Sequence, residues 1–78
     1  MFTALHFKEM MNQKPFKPFR VHMTEGKSFE VQNHDSAFVL RHALEIGLDP
    51  DSDSISERTV RCAFIHITRV EEMTEQAA

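Results

Sequence analysis

Phe19, Val21 and Met23 alternate with Arg20, His22 and Thr24; after Glu25-Gly26-Lys27 the alternation resumes, with Phe29 and Val31 set against Ser28 and Glu30. A period of two places successive side chains on opposite faces of an extended chain, so this stretch can bury an apolar face only as strands. Gly26 in the polar gap supplies the conformational freedom of a tight turn. Residues 19–31 therefore predict a β-hairpin with one face buried, and the rest of the chain must supply what covers that face.

Residues 1–13 read as a short helix. Thr3 is a candidate N-cap, and Ala4, Phe7 and Met11 follow i, i+3, i+7 spacing with Met10 beside them. Phe2 and Leu5 fall on the other side, so the helix is apolar on more than one face. It suits a cover over the open end of a small barrel, or a surface for a protein partner. Lys14 to Phe19 repeats K-P-F, and the prolines end the helix and favour extended backbone before them. Phe16 and Phe19 are expected to anchor this linker in the core while Lys14 and Lys17 stay solvated.

After the polar turn 32–36, the run from Ala37 to Leu48 could be read as a helix, since H-A-L-E-I has no breaker, but it is taken as one strand, with Phe38, Leu40, Leu44 and Ile46 on one side and His42 in the same row. Residues 49–57 form an acidic, serine-rich loop. From Arg58 to Val70 the alternation slips phase near Ala63-Phe64-Ile65, which implies a bulge or tight turn between two short strands. Residues 71–78 are polar, the pattern of a frayed tail. The expected architecture is a single mainly β domain over residues 1–78. It consists of a helix at 1–13, a small, strongly bent five-stranded antiparallel open barrel at 19–70, and a tail at 71–78.

A 78-residue chain builds a core worth roughly 3–5 kcal/mol of net stability, so a staple or a partner subunit is commonly needed. Cys62 is the single cysteine, so no disulfide forms within the chain, and its apolar context reads as a buried small hydrophobe. Self-association or an unusually efficient core is the remaining route. The formal charge of −3 and pI near 5.9 lack the basic excess of a dedicated nucleic-acid domain. No basic leader followed by an apolar run is present, and no apolar run reaches a membrane span of ~20 residues. A cytoplasmic location is the default.

The candidate chemical constellations are incomplete. His6, His22, His34, His42 and His66 show no i, i+4 pair and no cysteine at finger spacing, so no metal ligands are assigned. Asp49, Asp51 and Asp53 begin like a calcium loop, but Ser54 stands where that loop has Gly and Val60 where it has a bidentate Glu. No nucleophile elbow or Gly-rich phosphate loop accompanies the serines and histidines. The chain is read as no enzyme, with no catalytic residues and no cofactor.

The order of a helix, a strand–Gly–strand hairpin and a terminal A-F-I-H-I-T-R-V-E resembles the Sm-like (Hfq-like, SH3-like) fold, in which a short helical turn separates the last two strands. Lys17 to Val31 and His66 to Glu71 also resemble a group of small bacterial proteins with no established function. The Sm likeness implies rings assembled by pairing edge strands of neighbouring subunits. Its RNA-reading signatures do not carry over: Arg61-Cys62-Ala63 stands where the Lys-His dipeptide is expected, and the Asn and Arg-Gly loop signatures are absent.

Two functions follow as expectations. In the first, the chain is a self-associating interaction or scaffold module whose helix or loop takes a protein partner. In the second, it is an RNA binder using Lys8, Lys14, Lys17, Arg20, Arg41, Arg61 and Arg69. The second requires those cations to gather on one face, away from Glu25, Glu30, Glu45 and Glu57.

Overall fold

Thr24-Glu25-Gly26 closes the expected hairpin. In the computed structural model, which describes residues 1–73, β1 (Phe19–Met23) pairs antiparallel with β2 (Ser28–Val31), Phe19 opposite Val31 and Val21 opposite Phe29. Met23 N donates to Lys27 O at 2.8 Å and Gly26 N donates to Met23 O at 3.0 Å. Gly26 sits at φ +96°, a conformation that costs a residue with a Cβ far more than glycine.

The other side of β1 takes the end of the chain. β6 (Ile67–Glu72) pairs with it antiparallel, Val70 opposite Val21, with a register shift between His22 and Met23. The phase slip read near residues 63–65 is a 3₁₀ turn over Phe64–His66 that separates β6 from β5 (Arg58–Ala63). β6 continues through Glu71 and Glu72, so the pairing extends into the first residues expected to form the tail, and Met73 N donates to Pro18 O at 2.9 Å. The remainder of the expected tail, 74–78, lies outside the described residues.

The run 37–48 departs from expectation. It forms two strands, β3 (Ala37–Val39) and β4 (Ala43–Leu48), with Arg41 and His42 at the tip of a turn closed by Leu40 N donating to Ala43 O at 2.8 Å. Reversal at that turn places Val39 opposite Leu44 and Phe38 opposite Glu45. Phe38 is therefore turned out of the core, 69% exposed, and His42 lies exposed at the tip. β5 completes this sheet on the far side of β4, Cys62 opposite Leu44 and Arg61 opposite Glu45.

The described residues thus hold six strands in two three-stranded antiparallel sheets, β2-β1-β6 and β3-β4-β5. Neither sheet is itself closed into a barrel, where the alternation had suggested five strands in one bent barrel. One apolar cluster joins the sheets. Phe19, Val21, Val31 and Ile67 come from the first, and Leu44, Ile46 and Cys62 from the second. Gly47 lies where β4 passes the loop: a Cβ there would stand 2.7 Å from Ser56 Oγ and 3.1 Å from Ser56 Cβ.

Helix α1 (Ala4–Met11) covers the cluster. Thr3 Oγ1 accepts from His6 N at 3.2 Å, satisfying an amide that has no partner within the helix. Phe7 and Met11 are buried, and the Phe7 ring stacks on Phe64 at 5.2 Å and meets Phe19 at 6.2 Å. Phe16 packs against Phe19 at 6.2 Å and joins the core edge, while Lys14 and Lys17 are exposed, as the linker's composition suggests.

Candidate interaction surfaces

The outward residues of β1 organise the face of the first sheet. Arg20 stands opposite Glu30 on β2 and Glu71 on β6, and its guanidinium lies 2.7 Å from Glu30 Oε2 and 3.6 Å from Glu71 Oε1. Opposite charges directly across an antiparallel pair are the arrangement such strands favour. His22 Nε2 is 2.9 Å from Glu71 Oε1 and 3.1 Å from Arg69 Nη2. A ring nitrogen either donates or accepts, so these two contacts are alternatives set by the tautomer. On the second sheet Arg61 Nε donates to Glu45 Oε1 at 2.8 Å and Thr59 Oγ1 donates to Glu45 Oε2 at 2.6 Å.

The seven candidate RNA contacts are accordingly dispersed. Arg20 and Arg69 lie on the first sheet's outer face and Arg61 on the second's; Lys17 is in the linker and Arg41 at the β3–β4 tip. Arg20 and Arg61 are neutralised by Glu30, Glu71 and Glu45. Only Lys8 and Lys14 border neighbouring hollows, beside the end of α1.

The histidines also stay apart. His6 packs edge-on against Phe2 and Phe7, and His22 faces Arg69. His66 meets the hairpin turn through its carbonyl, which accepts from Thr24 N at 2.9 Å. Among the described residues no three His, Cys, Asp or Glu side chains come together in a way that could hold a metal ion. Within the acidic loop, Asp51 turns its carboxylate inward, Oδ1 accepting from Asp53 N at 2.8 Å and from Ile55 N at 3.0 Å. Cys62 is fully buried, and burial together with Glu45 and Glu25 pushes its thiol up to about 11, which disfavours the reactive thiolate.

No family model, no curated protein and no solved structure matches the chain. Among the described residues no helix is long and apolar enough to cross a membrane.

The sheet-face carboxylates make the fold acid-sensitive. Hydrogen bonds from Arg20 to Glu30, from Thr59 to Glu45 and between His22 and Glu71 hold all three below the usual carboxylate range. The folded chain therefore binds protons there less readily than the unfolded chain. The stability these groups add is complete above their unfolded pKa of about 4.3 and is lost as pH falls through the lower folded values. The urea midpoint, followed by circular dichroism, should fall between about pH 5 and pH 3. A Glu30→Gln, Glu45→Gln, Glu71→Gln triple variant should show a shallower fall, and superimposable curves would refute the assignment.

Proposed function

We propose that the chain is a non-enzymatic interaction module that assembles with copies of itself through its free strand edges. The observation that supports this is the distribution of those edges. In each sheet the central strand is paired on both sides, while among the described residues β2, β6, β3 and β5 are each paired on one side only. β3 and β2 are short, three and four residues, but β5 and β6 are each six residues long and follow one another across the 3₁₀ turn. A long unpaired edge presents a row of amides and carbonyls that another strand satisfies. Pairing β5 of one copy with β6 of the next uses two different surfaces, which closes into a ring where the rotation between copies permits. The Sm-like resemblance implies the same mode. It accords with reading the two sheets as halves of one bent open barrel, linked by residues 32–36. The dispersal of the seven cations, with Arg20 and Arg61 paired to carboxylates, favours protein over RNA as the partner, and the lone buried Cys62 suits a cytoplasmic setting.

Size exclusion with light scattering, recording absorbance at 260 and 280 nm, tests the reading. The chain has no Trp or Tyr, so any bound nucleic acid dominates the signal. A multimer with no more 260 nm absorbance than its seven phenylalanines give is expected. Absorbance at 260 nm that high salt strips away would instead establish RNA binding through phosphate contacts. A monomer at all concentrations would overturn the assembly.

A further inference from the structure

The surface beside the end of α1 is concave, and the charged residues that line it carry no negative charge. A hollow of about 600 Å³ is lined in part by Met11, Lys14, Phe16 and His34. A second of about 260 Å³ shares Met11 and His34 and adds Lys8 and the exposed ring of Phe38. No carboxylate lines either one, in a chain with 12 acidic residues against nine Lys and Arg. Together they make a groove between α1 and β3 whose walls are partly apolar and partly the amides of Asn12 and Gln13, with Lys8 and Lys14 on the α1 side and Asp35, 3.4 Å from His34, at its edge.

The loop at 49–57 has the opposite character. Asp51 N donates to Ile55 O at 3.0 Å and Ser54 N to Asp51 O at 2.9 Å, and the Asp51 carboxylate takes the two amides named above. Asn33 Nδ2 donates to Ser54 Oγ at 2.9 Å and ties the loop to the β2–β3 connection. The Ile55 side chain is left 63% exposed, in a loop that also carries Asp49, Asp51, Asp53 and Glu57. An apolar anchor within an acidic rim complements a partly apolar groove that carries Lys8 and Lys14 on its α1 side.

We propose that the 49–57 loop of one copy seats in the α1–β3 groove of a second copy. Ile55 would meet Met11, Phe16 and Phe38, with the loop carboxylates set against Lys8 and Lys14. Charge complementarity selects this occupant, because each copy carries both surfaces. The loop is already held by its own hydrogen bonds, so seating it orders little backbone and loses little conformational entropy. A central apolar anchor ringed by charge is also the usual anatomy of a specific interface. The contact is heterologous and uses neither β5 nor β6, so it goes beyond edge pairing and does not depend on it.

Three proteins test it: the wild type, Ile55→Asp, and the double variant Lys8→Glu/Lys14→Glu, each checked for its fold by circular dichroism. All three positions are exposed, so the fold should persist. Fluorescently labelled double variant is titrated with itself and with Ile55→Asp. Self-association of either variant should weaken about tenfold or more, a difference of about 1.4 kcal/mol. Mixing the two should restore the wild-type affinity of the loop–groove contact, because the intact loop of one meets the intact groove of the other. Salt should weaken that contact. Variants that associate like the wild type, or a mixture that gains nothing, would overturn the proposal. If edge pairing alone were wrong, the wild type would still associate head to tail and the mixture would still recover.

Discussion

Phe7→Ala should unfold most of the protein at 25 °C. Truncating a buried Phe costs about 3–5 kcal/mol, and a core of this size supplies roughly that much in total. Phe7 is fully buried, stacked on Phe64 at 5.2 Å and in contact range of Phe19. It therefore joins the helix, the 3₁₀ turn and β1 at one point. The loss would not be confined to α1's attachment. An eight-residue helix is not stable alone in water, where ~12–15 residues are marginal, so α1 melts once its anchor is gone. Its departure then uncovers the open end of the core. Leu5→Ala, on the exposed side of the same helix at 69% exposure, should change stability by less than about 0.5 kcal/mol. Urea denaturation followed by far-ultraviolet circular dichroism reads both. A Phe7→Ala loss under about 1 kcal/mol would mean that the sheets close without the helix.

What was legible in the chain was legible for local reasons. The hairpin carries its period and its turn residue within thirteen positions, and Thr3 caps the helix it precedes. The slip at 63–65 likewise marks a change of backbone in place. Non-local features were not legible. Glu71 meets Arg20 and His22 only because β6 returns to β1 in a particular register, and nothing in residues 58–72 announces that register. The acidic loop reads as solvated because its composition is. Its order comes from the Asp51 carboxylate spent on its own backbone, from two backbone bonds across the loop and from Asn33 on Ser54, with Asp49 and Ser54 at positive φ. The sequence pattern also left the groove unseen, since it forms between α1, the linker and β3.

The run 37–48 is the instructive failure, and a pair of substitutions tests its resolution. Alternation over that run fits one strand or two, because Leu40-Arg41-His42-Ala43 has none of the Gly, Pro, Asn or Asp that usually marks a turn. The two readings assign Phe38 oppositely. In one long strand Phe38 shares the row of Leu44 and Ile46, and its loss would open the core. With the chain reversed after Leu40, Val39 takes that row and Phe38 faces water beside Glu45. Phe38→Ser should therefore change stability by no more than about 0.5 kcal/mol, measured at concentrations that keep the chain monomeric. Ile46→Ala should cost about 2–5 kcal/mol, because Ile46 is fully buried between Ala37 and Val60. The contrast carries more weight than either value. Comparable losses at the two positions would place Phe38 in the core and remove the turn, and with it the separate strand β3. A large difference leaves an aromatic ring held in solvent at a sheet edge, a position that core packing does not account for.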